Sequence, residues 1–302
     1  MLCLVRSRVI VFLLIVAFVV GLTTGSSTSS AQSVSTQAQS LGLERAHAHN
    51  DYEHTRPLFD ALDHGFKSVE ADIWLVDGEL IIAHDPEDVP QAVQEGRTLE
   101  SLYLEPLRQT VEQNGGSVYP GDPDYFTLLI DIKSDAVPTY RALHEELEGY
   151  EQMLTKFGPR GVRDGAITAI VSGNRPRELM EQQRVRYAAY DGRLSDLGVA
   201  TDQTFVPLIS DNWTRHFTWR GDGPMPPEER EKLRSIVATA HSHGQRVRFW
   251  ETPEVSPQRE AVWQELLAAR VDYINTDHLS ALEAFLLEND PNPTVPYVSW
   301  NR

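Results

Sequence analysis

The chain has 302 residues, 41% of them hydrophobic, with 27 basic against 44 acidic side chains and a formal charge of −17. That balance repels nucleic acid and anionic membranes, so partners held by phosphate-backbone electrostatics are excluded; an anionic phosphate ligand would need a local cation, most simply a bound metal ion. With Cys3 as its single cysteine, the chain has no internal disulfide.

Arg6 and Arg8 precede an unbroken apolar run over 9–20, followed by the small polar stretch GLTTGSSTSSAQS. Twelve apolar residues fall short of the roughly twenty that span a bilayer but suit the core of a secretory signal. Ser29 and Ala31 supply small residues for a cut after Ala31. Residues 1–31 therefore read as a signal peptide and the mature chain as secreted or extracytoplasmic, without stable membrane insertion; an uncleaved amino-terminal anchor is the alternative. Cys3 lies inside this signal, before the apolar run, which argues against a lipid-modified cysteine at the cut. Without residues 1–31 the charge becomes −19, from 25 basic and 44 acidic groups. Residues 32–42 are Ser/Gln-rich and read as a flexible leader.

From residue 43 onward, short β-branched runs alternate with segments of helical period. Strands are predicted over 44–49, 68–75, 80–84, 126–132, 166–172, 205–210, 246–250 and 273–276. Helices are predicted over 56–64, 98–114, 138–157, 176–190, 227–243, 257–269 and 279–288, several opening on Pro or after Asp, Ser or Thr. Eight strands with interleaved helices and no long linker predict one α/β domain over 43–302, a closed parallel (β/α)8 TIM barrel. The run 80–84 follows its predecessor after only VDGE, too short for a helical crossover. A tight Asp-Gly connection, and hence a somewhat irregular barrel, is expected there.

Catalytic groups of such barrels stand at the carboxyl ends of the strands. Here those ends carry His49, Glu70/Asp72, His84, Asp131/Lys133, Ser172/Asn174, Asp211, Trp250/Glu251 and Asp277/His278. Glu70 and Asp72 are two apart, so a strand points both to one face, where they would repel unless a cation sits between them. Asp131 and Lys133 repeat that spacing after the apolar FTLLI, adding a third carboxylate and a cation able to meet a phosphoryl oxygen. His49 and His84 end strands, and two imidazoles beside three carboxylates suit general acid and base work. Trp250 is positioned to line a pocket and meet a head group by cation–π attraction, or else to fill core. His47-x-His49 raises a competing zinc reading, similar to the start of the amidohydrolase barrels. Later strands offer no further histidines, and Asp277 is its remaining support.

In order along the chain, His49, Glu70-x-Asp72 within GFKSVEADI, DGELIIAHD, LLIDIK, RFW and VDYINTD resemble the glycerophosphodiester phosphodiesterase family and, more broadly, the phospholipase-C-like phosphodiesterase barrels. HAHNDY with RPLFDAL is similar to the branch that includes the fungal altered-inheritance-of-mitochondria protein and bacterial relatives. The resemblance implies that Glu70, Asp72 and Asp131 hold one Mg2+ or Ca2+ ion, that His49 and His84 are the catalytic acid–base pair, and that Lys133 lies near the phosphate, where it assists catalysis and binding. Hard oxygen ligands suit those ions on physical grounds as well. The family usually has His-Arg-Gly where this chain has His49-Asn50-Asp51, so Asn50 takes the place of a phosphate-clamping arginine. It also carries a glutamate where Asp131-Ile132-Lys133 is closer to the Asp-x-Lys of the sphingomyelinase D branch. The expected function is a metal-dependent phosphoric diester hydrolase for a glycerophosphodiester or (lyso)phospholipid-type substrate, contacted by Lys133, Asn50 and Trp250. A secreted barrel that binds a phosphate or sugar ligand without turnover is the alternative from another class.

Overall fold

Eight parallel strands close into a barrel in the order in which they occur along the chain. The computed structural model describes residues 42–122, 124–199 and 202–299; the expected signal peptide, and the leader up to residue 41, lie outside them. The strands are β1 (Leu43–Ala48), β2 (Phe66–Val76), β3 (Glu79–Ile82), β4 (Phe126–Ile132), β5 (Lys156–Gly158), β6 (Gly161–Arg163), β7 (Ile167–Gly173), β8 (Ala188–Gly192), β9 (Leu208–Asn212), β10 (Arg246–Trp250) and β11 (Tyr273–Thr276). All but β3, β5 and β6 belong to the parallel barrel, which β1 closes by pairing with both β2 and β11. The helices are α1 (Phe59–Asp63), α2 (Val89–Glu95), α3 (Glu105–Gln113), α4 (Ala136–Glu148), α5 (Arg177–Gln182), α6 (Trp213–His216), α7 (Pro227–Ser242), α8 (Gln258–Ala268) and α9 (Leu279–Asn289). No described helix is long and apolar enough to cross a membrane.

Residue spacing explains how the helices cover the barrel. Leu143 and Leu147 of α4, Leu233, Val237 and Ala240 of α7, Val262 and Leu266 of α8, and Leu282 and Leu286 of α9 recur at three- and four-residue steps. They pack on the outward strand residues, among them Val69, Ala71, Leu128, Ile130, Val171, Val247 and Phe249. Burying each such side chain contributes about 1.5–3 kcal/mol, and together these contacts hold the barrel shut.

The inward face is layered. Leu129, Ile170, Ala189 and Leu208 fill the belly. Nearer the amino ends, Tyr273 OH bonds to Thr127 Oγ1 and accepts from Arg246 Nη1, both at 2.7 Å. Toward the carboxyl ends the interior turns to charge, with Glu70, Asp72, Asp191 and Arg248 all buried.

Three sequence expectations need correction. The helix expected over 138–157 stops at Glu148, and its last residues enter β5, which pairs antiparallel with β6. The run 80–84 is not a barrel strand: β3 folds back antiparallel on the far end of β2, through Asp77 (φ 50°) and Gly78 (φ 95°). The Asp-Gly turn was expected; the barrel position was not. The eighth barrel strand is β8, in a stretch expected to continue the helix 176–190. That helix stops at Gln182, and Ala188, Ala189 and Asp191 are instead buried between β7 and β9. Burial between two ready edges overrides the helical preference of a short Ala-containing segment.

Candidate active site

Strand period places Glu70 and Asp72 on the inner face of β2, and the parallel register sets Asp72 directly beside Asp131 of β4. Carboxylate oxygens of Glu70, Asp72 and Asp131 lie within 4.8 Å of one another. Like charges at adjacent strand positions repel, and burial sharpens the repulsion. Burial and the Glu70 charge push Asp72 up to about 7. Burial also raises Asp131, with Lys133 working against the rise and Glu70 adding to it. Glu70 goes the other way: burial alone would raise it, but the Arg248 guanidinium and a hydrogen bond from His47 hold it well below the usual range. Lys133 Nζ lies 3.0 Å from Asp72 Oδ2 and 3.5 Å from Asp131 Oδ1.

The triad has the features of a cation site. Asp72 Oδ1 is buried without a hydrogen-bond partner, while Oδ2 accepts from Tyr52 OH at 2.7 Å. Gly173, at φ +66°, ends β7 beside Asp131; a Cβ there would come within 2.0 Å of Asp131 Oδ1. Glycine thus keeps room for the carboxylate as well as adopting the left-handed turn. Three clustered oxygen donors with an unsatisfied lone pair fit a hard divalent cation such as Mg2+ or Ca2+. Among the described residues this is the group of acidic, histidine or cysteine side chains that converges so closely.

His49 follows β1, and its backbone N–H donates to Thr276 O at 3.0 Å. Its Nδ1 meets Asp277 Oδ1 at 2.8 Å, leaving Nε2 as the nitrogen available to a ligand. Burial lowers the His49 pKa, but the Asp277 hydrogen bond and the Glu70 charge outweigh it, and the net direction is upward. His84 comes from the loop beyond β3, anchored by Ala83 N–H to Asp72 O at 3.3 Å and by Trp74 Nε1 to Ala83 O at 3.1 Å. Its side chain is 44% exposed, with Nδ1 3.2 Å from Asp85 Oδ1. The irregular hairpin therefore delivers the second histidine.

Both histidines line one cleft of about 300 Å3 together with Asn50, Glu70, Asp131, Lys133, Ser172, Arg193, Arg248, Trp250 and Glu251. His47 has a different place. It is buried, with Nδ1 2.7 Å from Ser68 Oγ and Nε2 3.3 Å from Glu70 Oε2. Burial and Arg248 lower it to about 3, so it stays neutral and braces Glu70. His47 and His49 thus have separate hydrogen-bond partners, and Asp277, the carboxylate that supported a zinc reading, is engaged with His49.

Asn50 reaches the cleft from a left-handed backbone (φ 46°, ψ 39°), with Oδ1 2.9 Å from Tyr52 OH. Trp250 lines the cleft as expected, but its cation–π partners are the chain's own guanidinium groups, Arg193 at 4.9 Å and Arg248 at 5.9 Å from the ring centroid.

Arg193, Arg248 and Tyr52 were not anticipated as site residues. Alternation in RVRFW puts Arg248 and Trp250 on one face, and that signal was available; Arg193 follows a strand that the sequence disguised as helix.

Comparison with known proteins points to phosphodiesterase domains. Residues 37–191 match the AIM6-like phosphodiesterase domain, and residues 246–280 match the glycerophosphoryl diester phosphodiesterase family. Altered inheritance of mitochondria protein 6 of Eremothecium gossypii is 31% identical over 280 residues, covering 80% of this chain and 69% of that protein. Its homolog in Arthroderma benhamiae is 27% identical over 264 residues, covering 79% and 82%. The Lachancea thermotolerans protein is 26% identical over 283 residues, covering 78% and 64%. With its barrel, its acidic triad and these matches, the chain belongs to the family of AIM6-like phosphodiesterase domains.

Proposed function

We propose that the protein is a metal-dependent phosphoric diester hydrolase that acts on a glycerophosphodiester or (lyso)phospholipid-type substrate with His49 and His84 as its acid–base pair. The observation that carries the reading is the meeting of three carboxylates, Lys133 and two histidines around one cleft. A divalent cation held by Glu70, Asp72 and Asp131 would supply positive charge to the non-esterified phosphate oxygens. Lys133, tied to Asp72 and Asp131, donates to a phosphoryl oxygen from the same side. Asp277 fixes the His49 ring with Nδ1 as donor, so that Nε2 exchanges the proton. One histidine takes the proton of the attacking hydroxyl as its oxygen bonds to phosphorus. The other gives a proton to the alcohol oxygen as the P–O ester bond breaks. Attack by water gives a monoester and an alcohol; attack by a neighbouring substrate hydroxyl gives a cyclic phosphate and the same alcohol.

The signal-like segment 1–31 supports an extracytoplasmic place for this activity, and the acidic surface is consistent with a small or head-group substrate rather than nucleic acid. The test is phosphorus NMR of the protein with glycerophosphodiesters, lysophospholipids and sphingomyelin, first with Mg2+ or Ca2+ and then with chelator. A monoester or cyclic-phosphate signal that chelator abolishes is the expected result. Unchanged spectra across the panel, with the metal shown to be bound, would overturn it.

A further inference from the structure

Asp191 on β8 is a fully buried carboxylate outside the metal triad. Its oxygens accept from Ser172 Oγ at 2.7 Å, from Ser210 Oγ at 2.6 and 2.7 Å, and from Arg193 Nη1 at 2.5 Å. A buried ion pair is seldom the most stable way to fill a barrel, since apolar side chains of similar volume commonly do as well or better. The question is what Arg193 does once Asp191 has fixed it.

The hydrogen bonds of its guanidinium answer this. Nη1 is taken up by Asp191, by Gly192 O at 3.0 Å and by Ser210 Oγ at 3.3 Å, and Nη2 makes one bond, to Ser172 Oγ at 3.2 Å. Among the described residues, Nε has no hydrogen-bond partner. The fork of Nε–H and the second Nη2–H therefore remains open, the edge of arginine that matches two oxygens of a phosphate. The group lies over the Trp250 ring, 4.9 Å from its centroid, and Arg193 shares the cleft with Asp131, Lys133 and both histidines.

We infer that Arg193 is a substrate-binding residue whose open fork grips the non-bridging phosphate oxygens, supplying from β8 the guanidinium that Asn50 does not supply after β1. Asp191, Ser172 and Ser210 are its positioning residues. The inference rests on the phosphodiesterase reading for the identity of the natural ligand, but the anion-binding role is separable from turnover. Arg248 is a weaker candidate, because its guanidinium is already bonded to Glu70 and to Asn275 Oδ1 at 2.6 and 2.9 Å.

The experiment uses the metal-loaded protein and two readouts, calorimetric binding of inorganic phosphate and steady-state cleavage of a chromogenic aryl phosphodiester. Arg193→Gln is combined with Asp191→Asn, so that no lone carboxylate is left buried. Arg193→Lys, which keeps the charge and loses the fork, is the second variant and decides the matter if the double variant does not fold. The double variant is expected to bind metal as before, to weaken phosphate binding by roughly 10- to 100-fold and to raise KM more than it lowers kcat. Arg193→Lys is expected to recover only part of that loss. Unchanged phosphate affinity in a folded, metal-loaded variant would overturn the inference, as would wild-type protein that binds no phosphate. If wild type binds phosphate through Arg193 yet cleaves no diester, the inference stands and the phosphodiesterase reading falls. If diester is cleaved while KM and phosphate affinity are indifferent to Arg193, the phosphodiesterase reading stands and the inference falls.

Discussion

Asp72→Asn tests the electrostatics of the triad. In the metal-free protein Asp72 is buried beside Glu70 and Asp131, and its pKa stands at about 7 against an ordinary 3.8. A carboxyl with a raised folded-state pKa holds its proton more tightly folded than unfolded. Its contribution to stability is therefore complete below 3.8 and is lost as the pH rises to about 7. From pH 5 the loss runs at about 1.4 kcal/mol per pH unit until the pH nears 7 and then levels off, about 3 kcal/mol in all by pH 8. Asparagine has no charge to bury and can still accept from Tyr52. Thermal melts in chelator should thus show wild type losing stability from pH 5 to pH 8 relative to Asp72→Asn, by roughly 5–10 °C in Tm. Adding Mg2+ or Ca2+ at pH 8 should recover the wild type far more than the variant, because the cation removes the repulsion that the variant never had. Parallel curves of Tm against pH for the two metal-free proteins would refute the reasoning.

Three further outcomes are expected. His49→Ala and His84→Ala should each lower phosphodiester turnover by at least about 100-fold while metal affinity, measured by calorimetry, is largely kept; normal activity in either one removes that histidine from the chemistry. Asp277→Asn removes the negative charge behind the hydrogen bond that favours the protonated ring, so the His49 limb of the kcat/KM profile should move to lower pH, and an unmoved profile would count against the pair. Gly173→Ala should weaken metal binding and destabilise the fold more than Gly96→Ala does, since both glycines have φ +66° but only at Gly173 does the added methyl meet Asp131 Oδ1 and Ile132 O. Comparison of the two by chemical denaturation separates the collision from backbone strain, and equal losses would mean that the carboxylate can move aside.

How far the site was legible in the sequence depended on the range of the signal. Two-residue spacing on a strand is local, so Glu70 with Asp72, and Asp131 with Lys133, were readable as pairs facing one way. The Asp-Gly turn before Leu80 was readable too, because a turn answers to its own two residues. Whether β3 joined the barrel was not, since that depends on which edge stands free when it folds back. The same holds for β8, whose Ala188 and Ala189 carry no strong strand preference and are extended because β7 and β9 flank them.

The sequence by itself determined most of the alternation of strands and helices, the inward carboxylates and the histidines that follow two strands, because periodicity and side-chain chemistry act over a few residues. Only the tertiary structure decided that His49 faces the cleft while His47 is buried against Ser68 and Glu70 of the next strand, with Asp277 brought from beyond the last one. It also decided that Trp250 lies beside two arginines and that Asp72 and Asp131, unlike Glu70, are raised. Charge state and contact are properties of the closed barrel: Glu70 is a local neighbour of Asp72, but the burial that sharpens their repulsion, and Asp131 and Lys133 beside them, come only with closure.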